Sequence, residues 1–257
     1  MEQSTRTHEG LVERQFGPRA QAYVSSPTHS QGEDLDEIEG IVRGHPGARV
    51  LDLGCGGGHV SFRSAPHVRE VVAYDLSQEM LDAVSATANE RGLANIQTRL
   101  GRVESLPFEE GSFDFVFTRY SAHHWHSFEA GIREAARVLK PGGMAAFADL
   151  ISPGPAMLDT VLQAIELFRD PSHVRDFSPD EWRSALTRAG LELSSQSRRR
   201  LRLEFGPWIA RMNTSEVQAT AIRSLQGQLS AEIAEYFEFE PDGSFTTDTM
   251  TFVCRKS

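Results

Sequence analysis

The stretch Val50-Leu51-Asp52-Leu53-Gly54-Cys55-Gly56-Gly57-Gly58 decides the fold. A short apolar run ends in an acid and then in glycines spaced Gly-x-Gly-x-Gly. The run reads as a buried strand, and the glycines as the tight turn that follows it. Glycine suits such a turn because it tolerates positive φ and lets backbone approach a ligand closely. A strand, a glycine turn and a helix N-terminus together form the crevice in which open α/β sheets hold nucleotide-like molecules. The alternative is a glycine-rich loop that holds nothing.

Working outward, strand and helix patterns alternate. Glu70-Val-Val-Ala-Tyr-Asp75 is a second buried strand ending in an acid, and Ser77 can cap the helix that follows, with Met80, Leu81, Val84 and Ala88 on one face and Gly92 as its stop. Ile96–Leu100 and Phe113–Thr118 are further strands. A helix over 127–139 ends at Lys140-Pro-Gly-Gly143 and feeds a strand over 144–150. Repeated alternation implies a parallel sheet with helices on both faces. Before the sheet, Val12–Tyr23 reads as a helix broken at Gly17-Pro18, and Leu35, Ile38, Ile41 and Val42 recur at helical spacing. After Asp149 the pattern loosens: a helical stripe from Gly154 to Phe168, a strong helix start at Ser178-Pro-Asp-Glu181, a strand from Leu191 to Phe205, one long helix over Thr214–Phe237 with Val217, Ala221, Leu225, Leu229 and Ile233 on one face, a hairpin-type turn at Asp242-Gly243 and an alternating strand Phe245–Val253.

Composition bounds the function. With 257 residues and a net charge of −10, the chain can bury a sizeable core and lacks the basic footprint of a general nucleic-acid binder. Cys55 and Cys254 are the only cysteines, which gives no disulfide framework and no zinc spacing. The polar N-terminus lacks a signal-peptide core, and no apolar run reaches membrane-spanning length. The expectation is a soluble, cytoplasmic protein.

The glycine spacing then separates cofactor classes. The dinucleotide fingerprint G-x-G-x-x-G needs a third glycine, where this chain has His59 (counting from Gly54) or Ser61 (counting from Gly56). The actual Asp-x-Gly-x-Gly-x-Gly instead resembles the first motif of class I S-adenosylmethionine-dependent methyltransferases. Gly101-Arg-Val-Glu-Ser-Leu-Pro-Phe108, Tyr120-Ser-Ala-His-His-Trp125, Val138-Leu-Lys-Pro-Gly-Gly143 and Phe16-Gly17 with Tyr23 resemble the small-molecule branch that includes the ubiquinone/menaquinone-biosynthesis enzymes. The resemblance covers roughly residues 12–150. It implies a seven-stranded, Rossmann-like, mostly parallel α/β sheet with helices on both faces, an antiparallel last strand and helical cap segments. On this basis residues 1–44 form a helical cap over the cofactor. Residues 45–257 form the methyltransferase domain, with helical lid segments at about 150–175 and 204–240.

Site residues follow from the motifs. Asp75, seventeen residues beyond Gly58, can accept both ribose hydroxyls of a nucleoside cofactor. By the same resemblance Asp52, Gly54, Cys55, Gly56 and Gly58 hold its amino-acid end, Val103 contacts the adenine, and Leu76, Met80 and Glu104 are further cofactor-binding residues. Arg102 stands where the family usually places an adenine-contacting aspartate; a guanidinium only donates, so Arg102 stacks on the purine or points away. Arg119 and Tyr120 line the methionine portion, while Tyr23 and His29 lie in the segment that folds over the cofactor. His123, His124 and His126 invite a metal, but adjacent ligands rarely converge on one ion and no metal is assigned. His124, and secondarily His123, either shape the loop or remove a substrate proton.

S-adenosylmethionine is thus the expected cofactor, S-adenosylhomocysteine the product, and a small molecule the acceptor. The rivals are a nicotinamide-dependent oxidoreductase and a non-catalytic S-adenosylmethionine-binding module.

Overall fold

The computed structural model describes residues 7–24 and 31–257. Its centre is a seven-stranded sheet in the order β3-β2-β1-β4-β5-β7-β6. The first five strands, β1 (Arg49–Leu53), β2 (Glu70–Asp75), β3 (Ile96–Leu100), β4 (Phe113–Arg119) and β5 (Leu139–Ile151), pair in parallel. Next come β6 (Leu191–Leu203) at the edge and β7 (Phe245–Lys256), which runs antiparallel between β5 and β6. β1 sits between β2 and β4, so the strand order reverses there, and the crevice beyond the carboxyl ends of β1 and β4 is where such sheets bind ligands.

Parallel strands are covered on both faces, and alternate residues serve alternate layers. Leu51 and Leu53 join a cluster with Trp125, Phe128, Ile132 and Trp182. Val50 joins another with Leu35, Ile38, Val60 and Phe117. The N-terminal helices are α1 (His8–Phe16), α2 (Ala20–Val24) and α3 (Glu33–Val42). Gly17-Pro18 breaks the first pair as a single 3-10 turn. Leu35, Ile38 and Val42 of α3 are completely buried, so this helix belongs to the layer covering the sheet, and a boundary at residue 44 runs through one continuous core.

Helices α4 (His59–Ser64), α5 (Gln78–Glu90), α6 (Phe128–Val138), α7 (Ala156–Arg169), α8 (Pro179–Arg188), α9 (Phe205–Met212), α10 (Glu216–Gln226) and α11 (Ala231–Phe237) complete the fold. The caps expected at Ser77 and Ser178 are present: Ser77 Oγ accepts from Met80 N–H, and Ser178 with Glu181 forms a reciprocal capping box. A third, smaller core joins Leu162 and Ile165 of α7 to Trp208, Ile222, Phe237 and Phe245.

Three expectations change. The single helix over 214–237 is two, because Gly227 follows the last residue of α10 and the chain restarts at Ser230. Val217 is 80% exposed, since the buried stripe of α10 runs through Ala219 and Ile222 instead. Asp242-Gly243 turns the chain from α11 into β7, with Gly243 N–H donating to Glu240 O at 2.9 Å, and it joins no strand pair. β7 is buried along Phe245–Cys254 because β5 and β6 flank it on both sides.

Candidate active site

The glycine turn is closed by its own backbone. Gly54 and Cys55 N–H both donate to Tyr74 O at 2.8 and 3.0 Å, and Gly58 N–H donates to Cys55 O at 2.8 Å. Gly54 has φ +68°, and a Cβ there would lie 1.9 Å from Ser121 Oγ. At Gly57 a Cβ would lie 2.8 Å from the Tyr23 carbonyl carbon, so the turn and α2 touch backbone to backbone. His59 Nε2 reaches Tyr23 O at 2.9 Å and fastens the same contact.

Two carboxylates brace the turn. Asp52 is buried, and its Oδ2 accepts from Ser61 N–H (2.9 Å) and Ser61 Oγ (2.6 Å), tying the end of β1 to α4. Burial, only partly offset by those bonds, pushes its carboxyl up to about 7. Asp75 accepts from Gly56 N–H on Oδ2 (2.8 Å) and from Ser77 N–H on Oδ1 (2.9 Å). Burial raises its pKa as well.

Beyond β4, Arg119 makes a buried, two-pronged ion pair with Asp34 (2.5 and 3.1 Å) and lies over the Tyr120 ring at 4.7 Å. Tyr120 takes φ +52°, turning the chain into the short helix that carries the two histidines. Asp149 holds that helix: its Oδ2 accepts from Ala122 N–H (2.8 Å), and its Oδ1 contacts His123 Nδ1 at 2.6 Å. Burial opposes a charge on His123, but Asp149, with Asp176 and Glu166 nearby, outweighs it and lifts the imidazole to about 9. His124 behaves oppositely. Burial and the neighbouring His123 charge bring it down to about 4. Its Nδ1 donates to Ser172 O at 3.1 Å, which leaves the lone pair of the neutral ring on Nε2, 3.8 Å from Asp170 Oδ2.

Two cavities meet here. The first is lined by the glycine turn, Asp75, Leu76, Met80, Val103 and α1. The second is lined by Asp34, Glu166, Arg169, Arg199, Leu201, Leu203, Trp208 and Arg211. Phe16, Tyr23, Arg119, Tyr120 and His124 belong to both walls.

A family model described as a methyltransferase domain matches residues 51–147. The uncharacterized Escherichia coli protein YafE is 45% identical over 200 residues, 78% of this chain and 97% of its own length. The crystal structure of YcgJ from Bacillus subtilis, an uncharacterized methyltransferase, has a TM-score of 0.84 at 30% identity, covering 87% of this chain and 98% of that one. The chain belongs to the methyltransferase family. A ubiquinone biosynthesis O-methyltransferase of Xanthomonas euvesicatoria is a further relative, 34% identical over 66% of this chain and 71% of its own length.

In this methyltransferase, Tyr23, Asp52, Gly54, Cys55, Gly56, Asp75, Leu76, Met80, Arg102, Val103, Glu104, Arg119, Tyr120 and His124 all line the first cavity. His123 lines only the second. Gly58 departs from the expectation. It starts α4 in the left-handed region, and a Cβ there would lie 2.8 Å from Val84 Cγ2, so it faces the core and Gly57 takes the wall. His29 lies outside the described residues. Arg102 reaches Glu9 of α1, with Nη2 to Oε1 at 2.6 Å. Sequence reasoning missed His8, Glu9 and Val12 on the first wall, and Glu166, Arg169, Trp208 and Arg211 on the second. It also missed Asp149, Asp170 and Ser172 behind the histidines. The helical stripes were visible, but nothing in them marks which polar neighbour turns inward. Among the described residues, no group of three or more His, Cys, Asp or Glu is placed to hold a metal ion, and no helix is long and apolar enough to cross a membrane.

Proposed function

We propose that the chain transfers the methyl group of S-adenosylmethionine to a small-molecule acceptor, and that the two cavities are the cofactor and acceptor sites. The observation that carries this is their junction at Phe16, Tyr23, Arg119, Tyr120 and His124. One side ends at a glycine turn with a strand-end acid, and the other lies beneath α7 and α9.

The first cavity suits the cofactor. A Cβ at Gly56 would meet nothing within 4 Å, so the turn presents open space there. Asp75 is a carboxylate acceptor for ribose hydroxyls, while Leu76, Met80 and Val103 offer an apolar slot for the adenine, with Val103 N–H for a ring nitrogen. Glu104 Oε1 holds Ser127 N–H at 3.1 Å and keeps that wall in place. Glu9 draws Arg102 toward α1, so the cap helix and the base slot are linked by an ion pair. Asp34 neutralises Arg119, which removes a cation that would repel a sulfonium. When bound, S-adenosylmethionine supplies a methyl group made electrophilic by that sulfonium.

The protein's remaining tasks are orientation, exclusion of water and management of one proton. His124 is neutral and presents Nε2 as the base. As the acceptor atom gives up its electron pair, a proton on it becomes strongly acidic, so even a weak base serves. Asp170 Oδ2, buried and without a hydrogen-bond partner among the described residues, stands 3.8 Å from Nε2 to stabilise the imidazolium that forms. His123 is a positioning residue, clamped to Asp149. The two cysteines are unpaired, which suits a reducing cytoplasm.

Calorimetry with S-adenosylhomocysteine and a labelled-methyl transfer screen over metabolite pools test the reading. Asp75→Ala should weaken S-adenosylhomocysteine binding at least tenfold, about 1.4 kcal/mol. Unchanged affinity, or tight NADH binding without S-adenosylmethionine binding, would overturn it.

A further inference from the structure

Five arginines stand on the wall of the second cavity, and carboxylates answer four of them. Arg119 pairs with Asp34, and Arg169 Nη1 lies 3.4 Å from Glu166 Oε2. Arg199 reaches Glu37 at 2.8 Å and Glu33 at 3.2 Å, while Arg200 reaches Glu238 at 3.2 Å and Asp248 at 3.5 Å. Arg211 differs. Among the described residues it has no ion pair, and its Nε is buried without a hydrogen-bond partner. Burial, and then the charge of Arg169, lower its pKa; Tyr23 and Glu166 offset this only in part and neither bonds to it, so the fold leaves a cation there at a cost.

We propose that Arg211 is the recognition residue for the acceptor, and that the acceptor is a small carboxylate with an apolar body. The Nε–Nη edge of a guanidinium is a fork that matches the two oxygens of a carboxylate. One unanswered cation balances one negative charge, which favours a monoanion over a phosphate dianion. Phe16, Leu201, Leu203 and Trp208 supply the apolar remainder of the wall. The arginine is also correctly placed along the cavity. Its neighbour Met212 accepts the Tyr23 hydroxyl on sulfur at 3.1 Å and a Gln15 amide on its carbonyl at 3.2 Å. Tyr23 and His124 both lie on the shared wall, so Arg211 and the proposed base line one cavity, within which an acceptor can meet both. The arginine-rich strand β6 is not the anion site, because Arg198, Arg200 and Arg202 are all engaged by Asp248, Glu238 and Glu240.

The word acceptor rests on the methyl-transfer reading, whereas the anion site does not. The test uses benzoate, benzamide and inorganic phosphate as probes, titrated calorimetrically against the full chain with and without saturating S-adenosylhomocysteine. Benzoate should bind at least tenfold tighter than benzamide and than phosphate. Arg211→Gln should erase that preference without lowering the melting temperature and with the S-adenosylhomocysteine affinity within twofold, and Arg211→Lys should retain part of it. Absence of a benzoate preference, its survival in Arg211→Gln, or phosphate binding as tightly as benzoate overturns the proposal. If S-adenosylhomocysteine fails to bind while the Arg211-dependent preference persists, methyl transfer falls and the anion site stands.

Discussion

The two cavities that meet at His124 are built by opposite means. Apart from α1 and Tyr23, the first takes its wall from short stretches of chain within 52–60, 75–80, 101–104 and 119–126. Its shape depends on backbone: a turn closed on Tyr74 O, and glycines where any Cβ would strike Ser121 or Tyr23. The second draws side chains from α1, α3, α7, β6 and α9, residues scattered from Phe16 to Thr249. The family model spans residues 51–147, which is the parallel half of the sheet, and leaves most of that second wall outside it, before residue 51 or after residue 147. A backbone-built site tolerates few residue types, while a side-chain-built one can be rewritten without disturbing the fold. One chemistry can thus be kept while its substrate changes.

The largest effect should appear where the two walls join. His124→Gln removes the proposed base but keeps a side chain of similar length against Phe16. It should lower kcat by about 10²–10⁴-fold in methyl transfer, with S-adenosylhomocysteine affinity changed less than fivefold. A kcat within tenfold of the wild type would return His124 to a packing role and make the junction a matter of shape alone.

A second measurement asks how firmly the histidine segment is held. His123 carries its proton in the folded chain up to about 9, against 6.5 ordinarily. Its folded pKa is raised, so the stability it contributes is complete below about pH 6.5 and lost as pH rises through about 9. Urea unfolding should show a decline of up to about 3 kcal/mol across that window, and His123→Gln should flatten it. An unchanged slope in the variant would mean that the His123–Asp149 pair does not hold the loop.

What the sequence disclosed follows the same division. The succession of strands along the chain, the glycine turn and the Ser77 and Ser178 caps were legible because each depends on local rules: short apolar runs, positive φ and caps. Gly58 went to the wrong side because spacing alone does not show whether a glycine faces ligand or core, and Val84 decided it. The split between α10 and α11 was signalled by Gly227 and Ser230 but masked by the apolar stripe running through both. Arg211 was out of reach. Its meaning lies in an absent partner, and that emerges only when Asp34, Glu166, Glu37 and Glu238 are seen to answer the other arginines.

The smallest effect should come from Arg102, the residue that departs from the family pattern within the otherwise regular first wall. Its side chain is 51% exposed and its partner Glu9 23%, so the 2.6 Å ion pair is largely screened by water. An exposed pair of this kind contributes roughly 0–1 kcal/mol. Arg102→Ala should thus lower S-adenosylhomocysteine affinity less than about fivefold, and raising the salt concentration should shrink even that difference. The motif's role is then carried by Val103 backbone, which the substitution leaves in place. A loss of more than tenfold, insensitive to salt, would mean that the guanidinium touches the cofactor itself. The adenine end of the first wall would then rest on a variable side chain as well as on backbone, and the contrast with the second would weaken at the position where the sequence is least regular.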